Sequence, residues 1–204
     1  MTKPLAAGVM LHLRTAQAGD VPALEALIER SARGLSRGHY DGAQVDAAIA
    51  HIFGVDSELI ADGTYYLVEG EGGEPVACGG WSARGTLFGG DRFAVRDDRP
   101  IDPARDPARI RAFFVDPAFA RQGLAARLLD RCEEAAAAAG FSRLELMATL
   151  PGLAFYRRAG FETHEEFHCR AGAETIPFVR MSKALRSAPG REGATKMGDS
   201  EGET

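Results

Sequence analysis

Hydrophobic residues recur along the chain at two spacings, and each spacing predicts one kind of secondary structure. Apolar residues three or four positions apart predict a buried helix face, whereas alternating or short continuous apolar runs predict strands. The predicted elements are, in chain order, a strand at 11–14, helices at 21–32 and 43–53, a hairpin of TYYLVEG and EPVACGGWSAR, a strand in RIRAFFV, a helix at 124–139, a strand in RLELMA, a short helix in PGLAFYRRA, and a hairpin of FETHEEFHC and IPFVRMSK around RAGAET. This mixture indicates an α/β domain of two or three layers with a mixed sheet.

Two of the predicted helices have a clear buried face and a predicted boundary. The first places Leu24, Leu27 and Ile28 on one side, and Asp20 is predicted to cap its N-terminus. The later helix carries an apolar stripe, which consists of Leu124, Leu128, Leu129, Cys132 and Ala136. Gly140 follows this helix and is predicted to end it.

Three segments lack either spacing. Residues 85–108 are rich in Gly, Pro and Asp and predict a long loop, which in a compact domain is usually functional or mobile. Residues 1–9 and 187–204 are predicted to be tails, and the second is expected to be disordered because it contains one Met as its only large apolar side chain. One domain is therefore expected at residues 10–186.

Composition narrows the class of protein. The net charge of -5 argues against general nucleic-acid binding, which needs a clustered basic face. No apolar run approaches the ~18 residues that cross a bilayer, so no membrane association is expected. Cys78, Cys132 and Cys169 are too few and too scattered for a disulfide framework or a cysteine-based zinc site, and they predict free thiols in a reducing cytoplasm.

The stretch HEEFH at residues 164–168 matches H-E-x-x-H, the motif that holds zinc in metalloproteases when it lies on a helix. Here the surrounding pattern predicts a strand, with Phe161, Phe167 and Cys169 on one face. The polar residues Glu162, His164, Glu166, His168 and Arg170 are expected on the other face. The strand prediction favours solvated polar residues over a strand-face metal site through the two histidines, and a protease is the remotest alternative. No metal is expected.

The stretch FFVDPAFARQGLAARLLDRC at residues 113–132 carries the clearest candidate chemistry. A predicted strand ends, a turn follows, and a helix begins at Gly123 with no carboxylate in its first turn. Such a start offers free backbone N–H groups and the positive end of the helix dipole, with Arg121 and Arg127 nearby, and predicts a pyrophosphate site. A strand-to-helix connection whose small residues serve packing is the alternative.

Two motifs together resemble the GNAT superfamily of acyl-CoA-dependent N-acetyltransferases. FFVDPAFARQGLAARLL matches the family's V-x-P strand end and R/Q-x-x-G-x-G/A phosphate loop, and GLAFYRRAGF matches A-x-x-x-Y-x-x-x-G-F of a later helix. ARIRAFFVDP and GGWSARGTLFGGD are similar to a bacterial subgroup whose acceptors are mostly unassigned. The resemblance implies the GNAT fold, which is a mixed, mostly antiparallel central sheet flanked by helices and splayed where acyl-CoA binds.

The resemblance also implies acetyl-CoA as cosubstrate and transfer of its acetyl group, by direct attack, to a small amine or a protein amine. Tyr156 stands where the family keeps the acid that serves the departing thiolate, with a packing role as the alternative. Pantetheine would bond residues 113–115 as an added strand, and a backbone N–H near Phe114 or Val115 would stabilise the oxyanion. The implied cofactor-binding residues are Phe113, Phe114, Val115, Arg121, Gln122, Gly123, Leu124, Ala125, Ala126 and Thr149.

Three positions depart from the family pattern. Ala120 replaces an Arg or Gln at the first loop position, so one phosphate contact is expected either to be missing or to be taken over by Arg121. Thr149 replaces a frequent Asn and is expected to cap the following helix. Arg109 replaces a strand Glu that helps position a water, which leaves the general base unassigned.

The general base and the acceptor stay open at this point. Glu145, Asp91 and a water chain are the candidates for the base. The acceptor is expected beside loop and strand residues, which are His39, Tyr40, Trp81, Ser82 and the loop at 85–108. A GNAT-fold module that binds acetyl-CoA as a sensor without turnover is the rival function, and a homodimer is left open.

Overall fold

The computed structural model describes residues 11–185. The predicted tails at 1–9 and 187–204 therefore lie outside the described residues. Within residues 11–185 the chain forms seven β-strands and five α-helices. They are β1 His12–Thr15, α1 Val21–Leu35, α2 Gly42–His51, α3 Ser57–Ala61, β2 Tyr65–Glu69, β3 Pro75–Ser82, β4 Ala108–Val115, α4 Leu124–Ala138, β5 Arg143–Thr149, α5 Leu153–Arg158, β6 Glu162–Ala171 and β7 Glu174–Ala184.

The predicted helices and strands are confirmed, with their ends moved by a few residues. Helix α1 buries Leu24, Leu27 and Ile28, and α4 buries the whole predicted stripe. Gly140 follows α4 with a φ of 92°, a conformation that ends helices and suits glycine. The pattern does not predict α3, because its five residues hold little more than one helical turn.

Two predicted boundaries are wrong. Asp20 directly precedes α1 but makes no capping bond to it. Its carboxylate instead accepts hydrogen bonds from Arg14 at 2.8 Å and from the Gln17 backbone N–H at 2.7 Å. The last hairpin turns more tightly than RAGAET suggests, because residues 170–171 pair with residues 174–175.

The seven strands form one sheet in the order β1-β2-β3-β4-β5-β7-β6. All neighbouring strands are antiparallel except β4 and β5, so the sheet is mixed and mostly antiparallel, as predicted. Side chains of α1, α2 and α3 pack on one face, here called the α1 face. Side chains of α4 and α5 pack on the other, here called the α4 face.

Strands β4 and β5 separate soon after they pair. Their parallel pairing joins only residues 108–109 to residues 144–145. Beyond that point β4 stays with β3 as far as Val115, whereas β5 follows β7 as far as Thr149. The gap between them, here called the fork, opens the middle of the sheet, and within the described part of the chain no strand pairs with this edge of β4.

The HEEFH stretch lies on the edge strand β6, so the strand prediction is confirmed. A β-bulge within the stretch shifts its register against β7. His164 contacts Ser182 Oγ at 2.6 Å on the α1 face, whereas His168 pairs with Pro177, which faces the other way. The prediction that both histidines share one face is wrong, because the extra residue of the bulge reverses the alternation.

The same bulge separates Phe161 from Phe167, which were expected to share a face. Phe161 is buried on the α4 face, whereas Phe167 contacts Phe88 on the α1 face. Among residues 11–185 no three His, Cys, Asp or Glu side chains are grouped so that they could hold a metal ion. No helix in this part of the chain is long and apolar enough to cross a bilayer.

Gly80 of β3 lies close to the backbone that precedes β2. A Cβ atom at this position would lie 2.7 Å from Thr64 O and 3.0 Å from Leu59 Cδ1. Because the backbone oxygen cannot easily move aside, Gly80→Ala is expected to lower the free energy of unfolding by about 1–3 kcal/mol, as measured by urea denaturation. Gly42→Ala is the control, since a Cβ there meets nothing within 4 Å. Equal losses in both variants would contradict this prediction.

Candidate active site

A cleft of about 910 Å³ lies at the fork and passes through the sheet, because residues of both faces line it. The predicted site residues that line it are Phe113, Phe114, Val115, Arg121, Gly123, Leu124, Ala125, Ala126, Thr149 and Tyr156. Gln122 is not among the lining residues; its side-chain amide donates to Ala118 O at 3.2 Å. The fold therefore brings ten of the eleven predicted residues to one place.

The N-terminus of α4 opens into this cleft. Gly123 precedes the helix with a φ of 85°, and a Cβ at Gly123 would meet nothing within 4 Å. The first helical hydrogen bond joins Arg127 N to Gly123 O at 3.0 Å, so the amides of residues 124–126 have no acceptor within the helix. The first turn contains no acidic residue. Free amides, the helix dipole and the exposed Arg121 make this point suitable for an anion.

The free edge of β4 is more occupied than the sequence indicates. The Val115 N–H donates to Ser31 Oγ of α1 at 3.1 Å, so it is not free for an oxyanion. The Asp116 N–H donates to Val76 O of β3 at 2.8 Å. Because alternate amides of a strand point to opposite edges, the Phe114 amide, like that of Asp116, points to β3. Next to it, the Ala112 C=O accepts from the Tyr65 hydroxyl of β2 at 3.4 Å, so the Phe113 N–H of the same trans peptide points away from β3, to the fork. The sequence analysis did not predict this contact. The one available signal was that Ser31 is a polar residue on the buried face of α1.

Tyr156 projects from α5 into the cleft wall and is 8% exposed. Its ring packs against Phe155, Phe161 and Phe113, with ring centroids 4.9, 5.5 and 6.4 Å away. Burial raises the pKa of the phenol above its usual range, so the hydroxyl keeps its proton at alkaline pH. The neighbouring Thr149 lines the cleft but makes no capping hydrogen bond with its side chain, so the predicted cap is wrong.

Neither carboxylate considered as the general base lines the cleft. Glu145 is buried, forms an ion pair with Arg109, and accepts a hydrogen bond from Arg180 Nε at 2.6 Å. Asp91 accepts from the backbone N–H and the hydroxyl of Ser57, each at 3.0 Å. Both carboxylates are therefore occupied by other groups of the chain.

The residues expected around the acceptor divide into two groups. His39 lines the cleft, as do Phe88, Gly89 and Gly90 of the predicted loop. The other three residues are engaged elsewhere. The Tyr40 hydroxyl donates to Pro177 O at 2.7 Å and accepts from the Leu150 N–H at 3.0 Å. The Trp81 ring packs 6.0 Å from the ring of Phe141, and Ser82 is buried. Tyr40, Trp81 and Ser82 are therefore not among the residues that line the cleft.

A buried ion cluster beside the cleft was not predicted from sequence. The Arg111 side chain of β4 is fully buried, lines the cleft, and forms an ion pair with the equally buried Asp56. Arg111 Nη2 also donates to Gly89 O at 3.0 Å, which ties the long loop to β4. Arg96 Nη2 donates to Asp56 at 3.0 Å and to Glu58 at 2.6 Å. Burial raises the pKa of the Asp56 carboxyl, and the two arginines oppose that rise. A charge inside the apolar RIRAFFV run was the available signal.

Comparison with known proteins agrees with this fold. Residues 94–185 match a family model described as an acetyltransferase (GNAT) domain. A GCN5-related N-acetyltransferase from Rhodopseudomonas palustris is similar at a TM-score of 0.64 and 17% identity, over 85% of this chain and 95% of that chain. The PaiA N-acetyltransferase of Thermoplasma acidophilum, solved in complex with coenzyme A, is similar at 0.58 and 12%, over 86% and 99% of the two chains.

The ribosomal-protein-S18-alanine N-acetyltransferase of Escherichia coli is similar at a TM-score of 0.55 and 16% identity, over 91% of this chain and all of that chain (100%). A search of curated proteins found no match. The matched residues 94–185 include the fork, the start of α4 and Tyr156. Residues 94–185 thus match a GNAT acetyltransferase domain, and the chain shares the fold of these structures along nearly their whole length.

The buried ion pair between Arg111 and Asp56 gives a stability prediction. Arg111→Met leaves Asp56 buried with less positive charge beside it, so the free energy of unfolding is expected to fall by about 3–5 kcal/mol. Arg99→Met is the control, because the pair that Arg99 forms with Asp97 leaves the Arg99 side chain 83% exposed, and such pairs contribute little. Chemical denaturation measures both. A loss in Arg111→Met no larger than in the control would contradict the role given to this pair.

Proposed function

We propose that the protein is an acetyl-CoA-dependent N-acetyltransferase that transfers the acetyl group to a primary amine by direct attack. The observation that carries the proposal is the cleft at the fork, where the free edge of β4, the N-terminus of α4 and the Tyr156 ring meet. Unpaired cysteines at Cys78, Cys132 and Cys169, all buried, support a reducing compartment such as the cytoplasm.

The proposed cofactor position follows the free donors of the cleft. The pyrophosphate binds the amides of residues 124–126, close to Arg121, where Gly123 lets the phosphate oxygens approach. The pantetheine arm then runs along β4 and bonds the backbone of Phe113 as an added strand would. Val115 contributes through the carbonyl and the side chain, since Ser31 Oγ already takes its N–H. The coenzyme A complex of the PaiA relative supports a coenzyme at this fold.

The proposed reaction needs no covalent enzyme intermediate. The lone pair of a neutral amine attacks the thioester carbon, the C–N bond forms, and the C–S bond breaks as the thiolate leaves. The Phe113 amide, directed at the fork, is the candidate donor to the developing oxyanion. The Tyr156 hydroxyl, which burial keeps protonated, donates a hydrogen bond to the departing thiolate, which takes its proton from water. The amine loses its extra proton to water or to another base.

Direct measurement of turnover separates an enzyme from an acetyl-CoA sensor. The absence of a carboxylate among the described residues that line the cleft favours the sensor as the second candidate function. Release of free thiol from acetyl-CoA is followed while a panel of primary amines is supplied. Amine-dependent release together with a mass increase of one acetyl group on the amine supports the enzyme, whereas cofactor binding without release from any amine supports the sensor.

Gly123→Asp tests the proposed phosphate position. Acetyl-CoA at a hundredfold excess over Kd is expected to stabilise the wild-type protein by about 2.7 kcal/mol, measured as a shift in thermal unfolding. The Asp carboxylate would face the phosphates, so the shift is expected to disappear. Gly123→Asn is the matched control, because Asn has the same shape and tolerates the φ of 85° but carries no charge. The proposal loses its phosphate site if Asp and Asn retain equal shifts.

Tyr156→Phe tests the proposed role of the hydroxyl. The ring still packs, so the acetyl-CoA shift is expected to stay unchanged while kcat falls ~10²-fold to 10⁴-fold. Because the pKa of Tyr156 is raised, the wild-type enzyme is expected to show no loss of kcat from phenol ionisation up to pH ~10, the usual pKa of tyrosine. Tyr66→Phe makes the same change in a buried tyrosine outside the cleft and is expected to retain kcat. An unaltered kcat in Tyr156→Phe would show that the hydroxyl has no catalytic role and that Tyr156 contributes only packing.

A further inference from the structure

The part of the cleft on the α1 face is available to the acceptor, because the proposed cofactor track uses the α4 N-terminus, the β4 edge and Tyr156. Its wall, here called the acceptor wall, comes from the end of α1, the turn after it, the end of α2 and the long loop. The acceptor wall consists of Leu35, Ser36, His39, Ile52, Phe53, Gly54, Phe88, Gly89 and Gly90. Phe114 of β4 and Met147 of β5 adjoin this wall at the fork.

Two aromatic rings of this wall, Phe53 and Phe88, are held in place by other rings. Phe53 meets Phe114 edge-on with ring centroids 5.6 Å apart, and it meets Phe178 at 6.4 Å. Phe88 packs on Phe178 at 5.3 Å and on Phe93 at 4.6 Å. The second layer of rings fixes the two that line the cleft. The wall is therefore a preformed apolar surface suited to a flat or aliphatic group.

Charge on the cleft has one sign among residues 11–185. The ionisable side chains that line it are His39, Arg111, Arg121, Tyr156 and Arg158, and no Asp or Glu is among them. The carboxylates near the wall are already bonded, Asp56 and Glu58 to Arg96 and Arg111, and Glu25, beside Gly54, to Arg92 and the Val55 N–H. A second ammonium group on the acceptor would thus be buried against apolar rings and arginine without a counter-charge, which is strongly unfavourable.

We propose that the acceptor is a small primary amine carried by an aromatic or aliphatic body that has no second cationic group. This inference rests on the proposed function and narrows its substrate class. Polyamines, aminoglycosides and lysine-rich peptides are excluded as good substrates by the same argument.

The acceptor wall also prepares the amine for attack. Apolar surroundings and a nearby guanidinium both disfavour an ammonium ion and lower the pKa of a bound amine. The neutral form, which is the nucleophile, is thereby favoured although none of the described residues that line the cleft is a carboxylate. Histidine is the commonest general base in enzymes, and His39 is the histidine of the acceptor wall.

A matched pair of rigid amines tests this class, with 4-methylbenzylamine as the monoamine and p-xylylenediamine as the diamine. They differ by one ammonium group at the far end of the ring. Two readouts are taken, kcat/KM from thiol release and the Kd of each amine, by calorimetry, for protein saturated with coenzyme A. The monoamine is expected to be favoured at least ~10-fold in both, because the second charge finds no partner in the wall.

Each outcome bears on one claim. Equal or better use of the diamine, in either readout, overturns the inference and leaves the proposed function intact. Tenfold tighter binding of the monoamine without thiol release from any amine supports the acceptor wall and removes the proposed function. Failure of both amines to bind and to react overturns the inference.

A charge placed on the wall provides a second test that does not disturb the aromatic rings. Leu35 is 36% exposed at the end of α1, so it can be replaced without opening the core. Leu35→Glu is expected to reduce the preference for the monoamine about two- to fivefold, since a part-exposed ion pair contributes modestly. Leu35→Gln adds polarity without charge and is expected to keep the original preference. An unchanged preference in Leu35→Glu would place the acceptor elsewhere and overturn the inference.

Discussion

The parting of β4 from β5 is the constraint on which the rest of the site depends. A sheet normally satisfies the backbone groups on both edges of an inner strand, yet beyond residue 109 β4 pairs with β3 alone. Ala112, with a φ of 56°, lies where the register of β4 slips against β3. Each unpaired group at the fork then needs another partner, and Ser31 of α1 supplies one of them. The cleft is the direct result of this incomplete pairing.

The charges around the cleft follow from the same opening. Arg111 lies on the part of β4 that has left β5, and its buried guanidinium is balanced by Asp56 and tied to Gly89. The carboxylates of this region are thereby consumed in holding the long loop against the sheet. The stability of the loop and the absence of acidic side chains among the residues of 11–185 that line the cleft are therefore two effects of one cluster. The ion cluster that stabilises the loop therefore also determines the charge of the side chains that a ligand contacts in the cleft.

The sequence predicts those parts of the site that depend on local signals. The apolar stripe of α4, the glycine at its start and the tyrosine of α5 each lie within a few residues of the features that identify them. Contacts between residues far apart in the chain cannot be predicted from such local signals. Ser31 and Val115 are separated by 84 residues, and no spacing rule connects them.

The wrong predictions have the same origin. Asp20 is a good capping residue, but Arg14 and the Gln17 amide compete for its carboxylate. Glu145 has the charge of a base, but Arg109 and Arg180 surround it. The alternation in HEEFH fails because one extra residue enters β6, and a single-sequence pattern carries no mark of such a bulge.

That bulge has a consequence for the protein in solution. Strand β6 ends the sheet, and a long, flat end strand offers unpaired backbone groups to the sheet of a neighbouring molecule. The bulge twists this strand locally and interrupts its regular row of donors and acceptors. Glu162, Glu165, Glu166 and Arg170 add exposed charges along the same strand. The bulge that places the two histidines of HEEFH on opposite faces thus also reduces the tendency of β6 to pair with the sheet of another molecule.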